Sequence, residues 1–449
     1  MPDFEAVVAR VVERVEPDRA ERDRLDAAVD ELTERTRDAI ADLPVEAEPL
    51  QVGSTARDTW LAGDRDIDLF VRFPADLPRA DLEEYGLVVG HAVLPDGREE
   101  YAEHPYVTGS FDGFDVDLVP CYDVDSAREI ESAVDRTPFH QTYVQGRLTP
   151  DLAAEVRAFK QFCKGIGVYG SDLRTRGFSG YLIELLVLEF GSARAVLKAA
   201  SDWRPPVELD PEGHGERTFE DALVVIDPTD PARNVAAVLS AENLARLQHH
   251  ARDALADPRV AAFFPDPPDP ISKGDVERHV ERRGTTPVAV VFEAPGLVDD
   301  ELYPQLRKSL AGIGDALDRR GFDVLRRAAF ARDRAVLLFE LDVAERPAVE
   351  RHEGPPVAAR GHAEGFYETY ADADVYGPFV DGDRYVVERD REHASAIGFL
   401  DGDAVFSARL APAIEDALDG GYEVRSGVGI GALADEFGAD LAAYFDPGP

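Results

Sequence analysis

Gly53-Ser54-Thr55-Ala56-Arg57-Asp58-Thr59-Trp60-Leu61, followed four residues later by Asp66-Ile67-Asp68-Leu69-Phe70, is the stretch on which the fold turns. A short strand, Leu50-Gln51-Val52, meets Gly53-Ser54; a short helical segment follows, and a second strand is predicted from Ile67 to Phe73. Side chains two apart on a strand face the same way, so Asp66 and Asp68 project together. Two carboxylates side by side repel unless a cation sits between them, and hard Mg²⁺ with oxygen ligands and substrate phosphates answers that need. Where a strand turns into a helix, the backbone N–H groups of Gly53-Ser54, the Ser54 hydroxyl and the helix dipole form a cradle for a triphosphate.

Neither half of this pattern is specific alone. With 89 acids in 449 residues, roughly 18 acidic-x-acidic pairs arise by chance. The order strand, Gly-Ser turn, helix, Asp-x-Asp strand is what carries information. A third carboxylate is expected from a neighbouring strand, Asp115-Val116-Asp117-Leu118-Val119-Pro120-Cys121-Tyr122, where Asp115 and Asp117 share a face. Three carboxylates holding two Mg²⁺ ions about 3.5–4 Å apart make a site for in-line phosphoryl transfer.

Working outward, the length calls for more than one domain. Hydrophobic residues make up 44% of the chain, which excludes wholesale disorder. No apolar run approaches the roughly 20 residues a membrane helix needs. The start, Met1-Pro2-Asp3-Phe4-Glu5, lacks the basic opening and apolar core of a signal peptide. Cys121 and Cys163 are too few for a disulfide framework, and the expected compartment is the cytoplasm.

Charge is the unusual feature: 89 acids against 48 cations, a net of −41, with five lysines and therefore 43 arginines. Acid spread along a lysine-poor chain suits a halophilic protein, because at 1 M salt a Debye length of about 3 Å screens self-repulsion. Against that background two segments are net basic. Residues 157–177 carry five cations and one acid, and residues 304–334 carry eight cations and four acids. Both are candidate phosphate contacts.

Residues 5–42 read as amphipathic helix broken at Pro17, and 151–256 as mainly helical, with Val156, Phe159, Cys163 and Ile166 at 3–4 spacing. The stretch Phe264–Pro270, with four prolines, reads as a linker. Beyond it come strand 287–293, helix 300–320, strands 322–331 and 334–343, helix 362–370, strand 384–388 and helix 404–418. That order suits a split βαβ sheet.

Taken together, the sequence resembles the archaeal-type (class I) CCA-adding tRNA nucleotidyltransferases of the polymerase β-like superfamily over nearly its whole length. The resemblance rests on Gly53–Arg57 with Asp66-Ile67-Asp68, Asp117–Tyr122, Arg136-Thr137-Pro138-Phe139-His140, Lys160, Gly167-Val168-Tyr169-Gly170, Arg176–Tyr181 and Asp227–Ala236. It implies an α+β multidomain protein: a nucleotidyltransferase head (1–150), a helical middle domain (151–265) and an RRM-like or ferredoxin-like C-terminal region that binds tRNA (266–449). It also implies a homodimer, two Mg²⁺ ions, CTP and ATP as substrates, and tRNA as the acceptor. Asp66, Asp68 and Asp117 take the place of the catalytic metal ligands. Ser54, Arg57, Thr137, His140, Lys160 and Tyr169 take the place of nucleotide contacts, and Arg233 that of the arginine that reads the incoming base. Arg65, where a small residue is expected, is read as a partner for Asp64. The alternatives are another polymerase β-like RNA nucleotidyltransferase, such as a poly(A) polymerase, or a non-catalytic RNA-binding relative.

Overall fold

The computed structural model describes residues 3–101 and 103–449. They divide into two compact units, one ending at Asp266 and one running Pro267–Gly448. The division falls inside the proline-rich stretch expected to be a linker.

The first unit opens with α1 (Phe4–Val15) and α2 (Arg19–Ala41), separated at Pro17 as expected. There follow β1 (Glu48–Val52), α3 (Gly53–Ala56), β2 (Asp66–Pro74), α4 (Arg79–Val93), β3 (Arg98–Tyr101), β4 (Pro105–Phe111) and β5 (Phe114–Asp123). These strands form one mixed sheet in the order β1-β2-β5-β4-β3. On one face Ile67, Leu69, Val71, Phe73, Val116 and Leu118 pack against Leu25, Leu32 and Ile40 of α2 and Leu82, Val89 and Val93 of α4. The period of two then sends Asp66, Asp68, Asp115 and Asp117 to the opposite face. Helix α4 had no counterpart in the sequence reading. Its glycines blur the pattern, and packing demands them: a Cβ on Gly86 would lie 2.7 Å from Pro120, and one on Gly90 2.4 Å from Val107.

The remainder of this unit is α5 (Thr137–Gln145), α6 (Pro150–Gly165), α7 (Gly180–Phe190), α8 (Ala193–Asp202), β6 (Val207–Leu209), β7 (Leu223–Asp227), β8 (Asp230–Asn234) and α9 (Ala241–Ala256). Val156, Phe159 and Cys163 of α6 enter one core with Leu182, Ile183 and Leu186 of α7 and with Leu244 and Leu247 of α9. The small β6-β7-β8 sheet within this mainly helical stretch was not anticipated.

The second unit contains α10 (Lys273–Arg283), β9 (Thr286–Glu293), α11 (Asp299–Arg319), β10 (Val324–Ala331), β11 (Arg334–Leu341), β12 (Val349–Pro356), α12 (Arg360–Tyr370), β13 (Tyr376–Asp381), β14 (Arg384–Asp390), α13 (Ala396–Leu400), α14 (Pro412–Asp419), β15 (Tyr422–Ser426) and α15 (Ala434–Phe445). One antiparallel sheet has the order β10-β11-β9-β15, and a second the order β12-β14-β13. Two expectations are corrected here. Helix 362–370 and strand 384–388 belong to the second sheet, and it is α14 and β15 that complete the first. The single helix expected over 404–418 is a 3₁₀ turn, Asp403–Ser407, followed by a new helix that starts at Pro412. Proline has no N–H for a helix interior but suits a first turn, so the break belongs there. Among the described residues no helix is long and apolar enough to cross a membrane.

Candidate active site

The site is built on β2 and β5. They run parallel, with Asp66 opposite Asp115 and Asp68 opposite Asp117. Residues paired across a ladder share a face, so Asp66, Asp68 and Asp117 stand on one polar surface. Burial and the neighbouring Asp117 and Asp66 push Asp68 up to about 6. Asp66 and Asp117 are raised as well, chiefly by burial. Among the described residues no three His, Cys, Asp or Glu side chains close into a ready-made ion cage. A donor set of oxygen alone, with carboxyls raised by burial and then by one another, fits a hard divalent cation.

The Gly53-Ser54 turn lies directly against this surface. Val52 pairs with Asp68, and a Cβ built on Gly53 would fall 2.0 Å from Asp68 Oδ2. Gly53 also has φ +79°, a left-handed conformation that only glycine adopts without strain. The half-buried Ser54 is the second residue of α3.

Helix α6 supplies cations. Thr149 caps it, its side chain accepting from Leu152 N, and proline occupies the first turn. Lys160 and Lys164, four apart on one face, both reach Asp64: Lys160 Nζ to Oδ2 at 3.0 Å and Lys164 Nζ to Oδ1 at 2.8 Å. Both ammonium groups lie over the Tyr169 ring, 5.4 and 5.3 Å from its centroid. Burial pushes Asp64 up, but Lys160, Lys164 and the Leu61 N–H outweigh it and hold the carboxyl below its ordinary value. Arg65 therefore does not pair with Asp64 as expected; it donates to the Gly113 carbonyl at 3.0 Å.

Arg57 is largely buried, with Nε donating to Glu184 at 3.0 Å and Nη1 to Gln141 at 2.7 Å. Thr59 also donates to Glu184, at 2.6 Å. Glu184 Oε2 and Gln141 Nε2 have no protein partner. The half-buried Thr137 opens α5.

A second cluster surrounds Asp227, at the end of β7. Arg233 Nη1 reaches Asp227 Oδ2 at 2.7 Å, and His140 Nε2 reaches the same oxygen at 2.8 Å. His140 stacks on Tyr181, with ring centroids 4.0 Å apart and planes 19° from parallel. Burial pushes His140 down more strongly than the Asp227 bond draws it up.

Apart from Thr137, the expected residues fall into two groups. One is Ser54, Asp66, Asp68, Asp117, Lys160 and Tyr169. The other is His140 and Arg233, with Arg57 within electrostatic reach of both. Asp64, Lys164, Tyr181, Glu184, Gln141 and Asp227 complete the set. Of these, Asp64 was expected as a partner of Arg65, Lys164 was visible as one of five lysines, and Tyr181 and Asp227 only as members of the stretches Arg176–Tyr181 and Asp227–Ala236.

Three family profiles match in series: a nucleotidyltransferase domain over residues 33–140, the second domain of tRNA nucleotidyltransferases over 154–264, and the C-terminal domain of CCA-adding enzymes over 283–427. The chain is 62% identical to a CCA-adding enzyme of Haloarcula marismortui, covering 100% of this chain and 99% of that one. It is 59% identical to that of Halorubrum lacusprofundi and 60% to that of Halobacterium salinarum, each covering the whole of both chains.

Proposed function

This chain belongs to the CCA-adding enzyme family, and from that premise we propose how its own residues carry the reaction. The reaction is template-independent addition of C, C and A to the 3′ end of tRNA from CTP and ATP, with release of pyrophosphate.

Asp66, Asp68 and Asp117 would hold two Mg²⁺ ions. When bound, the ions lower the pKa of the tRNA 3′-hydroxyl and neutralise the leaving pyrophosphate. The observation that carries this reading is the set of carboxylates on one face of β2 and β5, with the Gly53-Ser54 turn against Asp68. Asp117 lies nearest the priming hydroxyl. Ser54 and the backbone N–H groups of the turn take the triphosphate. Lys160 and Lys164 leave Asp64 to bind its oxygens as point charges, while Tyr169 packs the sugar. Arg57, Thr137 and His140 complete the nucleotide pocket.

Arg233 reads the base. Its guanidinium donates to cytosine O2/N3 or adenine N1, whereas guanine N1 and uracil N3 carry hydrogens that oppose it. Residues 1–150 form the catalytic head, 151–265 the helical middle domain, and 266–449 the tRNA-binding region, its four-stranded sheet a split βαβ of RRM or ferredoxin type. The working form is a cytoplasmic, halophilic homodimer.

The test is Mg²⁺-dependent incorporation of labelled CTP and ATP into tRNA trimmed at its 3′ end. Asp117→Ala is expected to abolish transfer while leaving tRNA binding intact. Near-normal turnover of that variant overturns the metal assignment.

A further inference from the structure

Asp227 is wholly buried, yet five hydrogen bonds converge on its carboxylate. Oδ2 takes Arg233 Nη1 at 2.7 Å and His140 Nε2 at 2.8 Å; Oδ1 takes the Thr229 N–H at 2.9 Å, the Thr229 hydroxyl at 2.8 Å and the Tyr181 hydroxyl at 3.3 Å. Burial pushes this carboxyl up, but the bonds from His140, Thr229 and Arg233 outweigh it, so Asp227 is ionised.

An ordinary buried ion pair tying a hairpin together would leave its partners as spent as itself. These partners are not spent. The Arg233 side chain keeps 34% of its surface exposed. A guanidinium has five N–H donors in one plane, and the bond from Nη1 to a fixed, buried oxygen orients that plane. An ionised carboxylate accepts and cannot donate, so it is the Nε2 of His140 that carries the hydrogen of this bond. The stack on Tyr181, itself bonded to Asp227, fixes the ring plane. Two of the residues that touch the nucleotide in the reading above are thus oriented by a single carboxylate.

We propose that Asp227 is a positioning residue for nucleotide selection, fixing the Arg233 fork and the His140 ring so that C and A are accepted and G and U refused. This rests on Arg233 reading the base. Asp227 itself touches no substrate; it acts by keeping Arg233 in one orientation, and a freely rotating arginine would find an acceptor on any of the four bases.

The experiment measures kcat/KM for CTP, ATP, GTP and UTP on trimmed tRNA with Asp227→Asn, Arg233→Ala and the double variant, alongside thermal melting and tRNA binding. Asp227→Asn keeps the shape but loses the charge and one acceptor. It is expected to narrow the preference for C and A over G and U by about 10- to 100-fold, the scale of one hydrogen bond to a charged group, with tRNA binding unchanged. The double variant is expected to discriminate no worse than Arg233→Ala alone, because both changes act through the same fork.

Arg233→Ala with unaltered preference sinks the base-reading assignment and this proposal with it. Relaxed preference in Arg233→Ala but not in Asp227→Asn overturns the positioning role alone. If Asp227→Asn does not fold, Tyr181→Phe decides: it removes one bond to Oδ1 and keeps the stack on His140. A smaller relaxation of preference in that variant supports the proposal, and unchanged ratios refute it.

Discussion

Gly53 and Asp68 constrain one another. A methyl on Gly53 would have to occupy the Asp68 carboxylate, and the positive φ penalises it again. Gly53→Ala is therefore expected to displace the Asp68 carboxylate and cut turnover on the order of 10²-fold, as ångström-scale misplacement does. Steady-state kinetics at saturating Mg²⁺ check it, and parent-like turnover would show that the close approach is dispensable. Asp68 gives a second prediction. Its folded pKa is raised from 3.8 to about 6, so the neutral form is the one the fold favours. The associated stability is fully present below the unfolded value and is lost as pH rises through 6, a penalty of about 3 kcal/mol above that pH when no cation is bound. Asp68→Asn removes the charge. In chelator at pH 8 it is expected to melt above the parent, and at pH 4 to show no such gain, while transfer is abolished. Equal melting at pH 8 would mean that the carboxylate carries no such penalty.

Helix α6 shows how an element brings distant residues into one site. It was legible because the apolar positions Val156, Phe159, Cys163 and Ile166 recur at helical spacing. Lys160 stood out for the same reason as Lys164, lysine being scarce. What the helix delivers those lysines to was not legible. Asp64 is 96 residues from Lys160, and only the sheet and the α6 packing bring them together. The misplaced pairing of Arg65 has this origin, since adjacency in sequence was the sole cue. Asp227 was similarly seen only as part of the stretch Asp227–Ala236, because the four residues that bond its carboxylate come from α5, α7 and its own hairpin. The carboxylate face, by contrast, follows from a period of two on each of two short strands, and no tertiary information was needed to read it. The clamp yields a prediction of its own. The triphosphate is common to all nucleotides, so Lys164→Ala is expected to raise KM for CTP and ATP alike, by about tenfold, with little change in kcat, the mark of lost uniform binding. A KM effect confined to one nucleotide, or none, would take Lys164 out of the pocket.

For the whole molecule, charge decides the working conditions. Several of the arginines that made residues 304–334 basic are committed internally: Arg326 to the Tyr444 carbonyl, Arg332 to Asp440 and Arg334 to Glu436. Pairing of this kind cannot neutralise the protein, because acids outnumber cations by 41 whatever the arrangement. Two opposing effects of salt follow. Screening weakens the surface ion pairs, each worth about 0–1 kcal/mol, and it also weakens the repulsion among the surplus carboxylates, which acts over the whole surface. The second is expected to win, so the melting temperature should climb with KCl and the protein should lose structure in dilute buffer. The shape of the climb separates two causes. The Debye length is already near 10 Å at 0.1 M and about 3 Å at 1 M, so a gain due to screening saturates by roughly 1 M. A gain that continues at higher salt reflects strengthened burial of apolar surface instead. Lowering the pH towards 4.5 protonates part of the surplus and should flatten the KCl dependence if repulsion is its source. Circular dichroism melts across KCl at pH 8 and pH 4.5 measure both slopes. Full stability in dilute buffer at pH 8 would show that the acidic surface does not make the fold depend on salt.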